Sequence, residues 1–161
     1  MKKILLILLL ISFGGLINAQ TVSNTATNDT ELNSILKDIN LNAKADIKLF
    51  KKNLSLDFNV TEGKIDQLMV SYDMQPADLY MSFQVSKQTG KSVEDVADCY
   101  KKNKGKGWGA IAKEMGIKPG SKEFHALKDN AKGKNTKMKE EKGAKGKGGK
   151  GKGGKDKGKK K

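Results

Sequence analysis

Few residues in this chain can make or break bonds. Its 161 residues include one histidine, His125, one cysteine, Cys99, and no arginine. A zinc site needs several His, Cys or carboxylate ligands at close spacing, and His125 has no such company. Asp57, Asp66, Asp73 and Asp78 are scattered acids without the spacing of a calcium loop. One histidine among many serines does not define a nucleophilic triad, which is a matter of geometry. Gly105, Gly107 and Gly109 fail as a phosphate loop, because no Gly-Lys-Ser/Thr follows and no strand precedes them. The expectation is a protein that is not an enzyme, with no cofactor and no metal. Cys99 falls beside Val96 and Tyr100 in a helical pattern and reads as a packing residue.

The abundant chemistry is lysine, and it is unevenly placed. The formal net charge is +14. Gln20 to Tyr100 carries eight lysines and twelve acids; Lys101 to Asn130 carries eight lysines and three acids; Ala131 to Lys161 carries fourteen lysines and three acids. An acidic body thus leads into a basic end, and such asymmetry points to a polyanionic partner. Lysine offers point charges rather than the bidentate fork of arginine. The expected partners are nucleic acid or acidic polysaccharide, engaged by charge and not by sequence, or an anionic membrane surface. The candidate contacts are Lys101, Lys102, Lys104, Lys106, Lys113, Lys118, Lys122, Lys128, Lys145, Lys147, Lys150, Lys152 and Lys155. Trp108, between two glycines, reads either as a core anchor or as a ring for stacking.

The elements that must position these residues read as helices. At the N-terminus, Lys2 and Lys3 precede an apolar run from Ile4, and Ile17-Asn18-Ala19 ends in a small residue. That is the pattern of a secretory signal peptide over residues 1–19, cut near Ala19. Ile4 to Ile17 is 14 residues, short of the roughly 20 a membrane-spanning helix needs. Export follows, to the periplasm or beyond, as a soluble mature chain. Residues 20–28 read as a polar, disordered spacer.

From Thr30, apolar residues recur at helical spacing: Leu32, Ile35, Leu36 and Ile39, then Ala43, Ile47, Phe50 and Leu54. One long helix or two broken near Asn40-Leu41-Asn42 fits. Thr61 caps the next helix, Pro76 starts another, Gly90 ends it, and Ser92 with Asp95 resembles a capping box. Trp108, Ile111, Ala112 and Met115 form a further face, Gly116 closes it, and Ser121 caps a last helix carrying Phe124, Ala126 and Leu127. The expected fold is all-α: a single irregular bundle of five or six short helices over residues 29–130.

Helix, glycine turn, Ile117 and a capped second helix resemble a helix-turn-helix unit, the basic module of residues 101–130. IAKEMGIKPGSKEFHAL is similar to recognition units of transcription factors, with Met115 where Leu is usual. That resemblance implies Ser121, Lys122, His125 and Lys128 near DNA; the alternative is a hairpin used for packing. The longer run TGKSVEDVADCYKKNKGKGWGAIAKEMGIKPGS resembles small exported bacterial proteins of unassigned activity, which implies a compact helical module and no reaction.

Residues 131–161 are a Lys/Gly-rich segment with KGKGG twice in tandem. It resembles the lysine-rich tails of linker-histone-like proteins, which implies sequence-blind polyanion binding. Composition predicts disorder throughout, because so little apolar surface is on offer. The function expected is polyanion binding through the basic C-terminal half. The alternative is a cell-envelope structural or adhesion module whose helical body meets a protein partner of unknown identity.

Overall fold

The computed structural model describes residues 29–147; the expected signal peptide, the spacer and residues 148–161 lie outside them. The fold is all-α. Seven helices follow one another: α1 (Thr30–Ala45), α2 (Ile47–Phe58), α3 (Glu62–Ser71), α4 (Pro76–Thr89), α5 (Val93–Lys102), α6 (Trp108–Glu114) and α7 (Lys122–Lys147).

Local chemistry sets most of the boundaries. A carboxylate or hydroxyl at an N-cap satisfies amides that have no partner inside the helix. Asp29 accepts from the Leu32 amide at 2.9 Å and Thr61 from the Lys64 amide at 3.2 Å. Ser92 Oγ accepts from the Asp95 amide at 3.1 Å, and Ser121 Oγ from the Phe124 amide at 3.2 Å. The first helical stretch breaks at Asp46, whose carboxylate caps α2 through the Leu49 amide at 3.0 Å. The break therefore falls later than the Asn40-Leu41-Asn42 position considered from sequence. After α6, the Ile117 amide reaches back to the Ala112 carbonyl at 2.8 Å and that of Gly116 to Lys113 at 3.1 Å. This double closure needs a left-handed residue, and Gly116 supplies it at φ 102°. It turns the chain so that Ile117 is buried.

The core is organised around α4. Ala77, Leu79, Tyr80, Met81, Ser82, Phe83, Gln84 and Val85 are all buried, because α1, α2, α3, α5 and α7 all touch this helix. A helix surrounded on every side shows no polar face, so sequence periodicity picked out only part of it. Its polar members are bonded internally. Gln84 donates to the Tyr80 hydroxyl at 2.9 Å and accepts from Asn130 at 3.0 Å. The Tyr80 hydroxyl in turn donates to the Asn130 carbonyl at 2.8 Å. Burial pushes the Tyr80 hydroxyl well above the usual phenol range.

α7 corrects two expectations. The bundle has seven helices among the described residues, not five or six, and the last is 26 residues long. The unstructured segment expected from Ala131 is instead helical as far as Lys147. Ala131, Lys134, Asn135 and Met138 are buried there. Composition misled because this stretch gains order from its partner, not from apolar content of its own. α7 lies along α1. Lys128 pairs with Asp29 at 2.9 Å and Glu31 at 2.7 Å, and Lys132 also reaches Glu31 at 2.5 Å. Lys139 meets Asp38 at 2.8 Å, and Lys134 meets Asp57 of α2 at 2.9 Å. Asn135 accepts from Asn42 at 3.0 Å and donates to Asp38 at 3.2 Å.

Lys134 is the most enclosed of these cations. Its side chain is 3% exposed, and its ammonium lies 5.7 Å from the Phe50 ring centre and 5.9 Å from that of Tyr80. Truncating it leaves Asp57 only the more distant Lys137 and opens the space beside two rings. Lys134→Ala is expected to lower unfolding free energy by about 1–3 kcal/mol, measured by urea denaturation. Lys134→Met should recover part of that, because its aliphatic stem restores the ring contacts.

Acid titration reads the same seam. The Glu31 carboxyl sits at about 2, below its ordinary 4.5, held there by hydrogen bonds to Lys128 and Lys132. A carboxylate depressed on folding adds stability above its unfolded pKa and loses it as pH falls towards the folded value. The thermal midpoint should therefore drop as pH falls from about 4.5 to about 2, and Glu31→Gln should flatten that drop. An unchanged acid limb in the variant would show that the α1–α7 ion pairs contribute nothing.

Candidate polyanion-binding surface

The basic surface begins where α5 ends. Its keystone is Asn103, 5% exposed. The Asn103 amide donates to the Cys99 carbonyl at 3.0 Å and to the Glu114 carboxylate at 2.7 Å. Its side-chain carbonyl accepts from Lys106 at 3.0 Å, and its backbone carbonyl from the Lys106 amide at 2.9 Å. One buried side chain thus ties the end of α5, the 103–107 loop and α6 together. Gly105 and Gly107 sit at φ 92° and 80°, left-handed values that let this short loop turn. Nothing in the sequence singles out Asn103; an amide between cations carries no periodic signal.

A second cluster holds α6 in place. Trp108 is 3% exposed and stacks on Tyr100 with ring centres 5.7 Å apart. Its indole N–H donates to Asp78 Oδ1 at 2.9 Å. The Tyr100 hydroxyl donates to Asp78 Oδ2 at 3.0 Å, and that oxygen also accepts from the Gln75 amide at 3.2 Å. Of the two readings of Trp108, the core anchor fits this environment, and the ring is not offered to a base. Burial, followed by the Asp78 charge, pushes the Tyr100 hydroxyl above its ordinary range. The cluster borders an open cleft of about 390 Å³ that Asn33, Lys37 and Asn40 of α1 also line.

The expected contact lysines divide into groups. Lys102, Lys113, Lys118 and Lys122 are exposed, and no acid lies within ion-pair distance of them among the described residues. Lys101 is exposed with its ammonium 6.0 Å from the Tyr72 ring centre. Lys104 is drawn to Asp73 and Lys106 to Asn103, although both stay at the surface. Lys128 is turned inward to Asp29 and Glu31 and is not available as it stands. Lys145 and Lys147 lie on the last turns of α7. Lys150, Lys152 and Lys155 lie outside the described residues.

The α6–turn–α7 hairpin forms, with Ser121 as cap. Its second helix is committed to packing: Phe124 and Leu127 are buried and Lys128 is paired internally. Lys122 and His125 face solvent. Cys99 is buried, and burial raises its thiol above the ordinary value, which disfavours the reactive thiolate. Among the described residues no His, Cys, Asp or Glu side chains gather as a metal site, and no helix is long and apolar enough to cross a membrane. Compared with protein-family models, curated proteins and solved structures, the chain matches none of them.

Asp78→Asn tests the anchoring cluster. An amide cannot replace both carboxylate acceptors, so one donor from Tyr100, Trp108 or Gln75 loses its partner. A loss of about 1–3 kcal/mol is expected, followed through the emission of the single tryptophan during unfolding. Neutral behaviour would mean that the stacked rings hold α6 without the carboxylate.

Proposed function

We propose that this protein binds polyanions by charge, without an enzymatic role, through a basic edge built from the end of α5, the 103–107 loop, α6 and the turn into α7. The observation that carries the proposal is the density of exposed lysines in this stretch: among the described residues, Lys102, Lys113, Lys118 and Lys122 have no acid within ion-pair distance, while Lys104 and Lys128 are paired. Surface cations outside ion pairs and close in sequence release counterions when a polyanion arrives. Lys101, Lys104 and Lys106 reinforce the edge, and the sequence carries further lysines beyond Lys147. Lysine-only contacts suit phosphate or sulfate strings of any sequence, such as extracellular nucleic acid, acidic polysaccharide or an anionic envelope surface. Export by a cleaved N-terminal signal is part of the same proposal.

Titration with duplex DNA and with heparin at several salt concentrations tests the reading. For a duplex, log affinity should fall with log salt at about −0.9 per phosphate contacted. Replacing Lys102, Lys113, Lys118 and Lys122 together by alanine should make that slope shallower by about 3 to 4. Truncation after Lys147 should weaken binding further. Binding that persists at its original strength in the fourfold variant would sink the assigned edge.

A further inference from the structure

We propose that the stretch of α7 carrying Lys134, Lys137 and Lys139, the last two bordering its buried side from opposite edges, is a second polyanion site, masked in the folded chain by Asp38 and Asp57. This inference rests on the polyanion reading and adds a site to it. The two carboxylates stand where a ligand's anions would. Asp57 receives Lys134 at 2.9 Å and lies 3.9 Å from Lys137, while Asp38 receives Lys139 at 2.8 Å and Asn135 at 3.2 Å. The carboxyl of Asp38 is held below its ordinary value by Lys139 first and Asn135 second, as a charge-matched contact requires.

The mask is built to be displaced. Lys137 and Lys139 keep 56% of their side-chain surface exposed, so an incoming anion reaches them without prior opening. Past Lys134 the apolar hold of α7 on the body is Met138 alone among the buried apolar residues. The proximal half keeps Phe124, Leu127 and Ala131 buried and stays anchored. Gly133 and Gly143 lie inside the helix, where glycine weakens it. The remaining ties are polar: Asn42 to Asn135 at 3.0 Å and Asn53 to Glu141 at 2.9 Å. A polyanion presents more charge per length than two carboxylates, and further lysines follow immediately in the sequence to recruit it. Binding then draws the distal half of α7 away from α1 and α2 and uncovers Lys134, because the ligand engages the released state better than the docked one.

The test uses the full chain with heparin as the probe at low ionic strength. Spin labels at Leu41→Cys and Glu140→Cys, in a Cys99→Ala background, report the separation of α1 from the distal half of α7. Heparin should lengthen it. In parallel, Asp38→Asn with Asp57→Asn should bind heparin about fivefold more tightly than a charge-matched control, Glu62→Gln with Asp98→Asn, on α3 and α5. Labels that keep their separation with heparin bound, or a mask variant no tighter than its control, would overturn the masked site and leave the polyanion reading standing. Absence of heparin binding by every variant would remove that reading and the masked site with it.

Discussion

The structure depends on one docking event, the laying of a lysine-rich helix along an acid-bearing one. α7 meets α1 through a seam that is apolar at its centre and ionic along its borders. Leu127 and Ala131 are fully enclosed on one side, as are Leu32, Ile39 and Ala43 on the other. Lys128, Lys132, Lys134 and Lys139 bind Asp29, Glu31, Asp57 and Asp38 around them. Each exposed pair alone is worth at most about 1 kcal/mol. Their role is to make it tolerable for so polar a helix to lie against the body. Without this seam, one whole side of α4, from Tyr80 to Gln84, would lose its cover at Asn130.

A consequence concerns charge. From the sequence, an acidic body and a basic end look like two poles available to other molecules. In the folded chain much of that opposition is satisfied internally, so net charge overstates what a partner meets. Among the lysines that remain outward are Lys102, Lys113, Lys118 and Lys122 of the 101–122 junction, where Asn103 and Asp78 hold the backbone. The charge open to a partner therefore depends less on how many lysines there are than on which ones the acids of α1 and α2 have already taken.

Much of the architecture was legible in advance for a local reason. Caps are short-range chemistry, so Thr61, Pro76, Gly90, Ser92 and Ser121 marked boundaries that the helices observe. The amphipathic faces of α1 and α5 could be read from spacing because each has one wet side. α4 could be read only in part, since it has none. The distal half of α7 reads as unstructured from sequence, because its order comes from Asp57, Asn42 and Asp38, 77 to 101 residues away. Asn103 gave no signal at all; besides the local Cys99 carbonyl, its value lies in Lys106 and Glu114, which the turn at Gly105 and Gly107 brings within reach.

By itself, then, the sequence determined an all-helical bundle, its cap positions, the absence of a disulfide and the step from acid to lysine. These are matters of periodicity, composition and nearest neighbours. Tertiary structure decided where that charge is spent: which lysines face water, which are locked to acids, whether Trp108 stacks on Tyr100 or on a ligand, and how far the last helix runs. Pairing between distant segments is a question of which face meets which, and no local pattern encodes it.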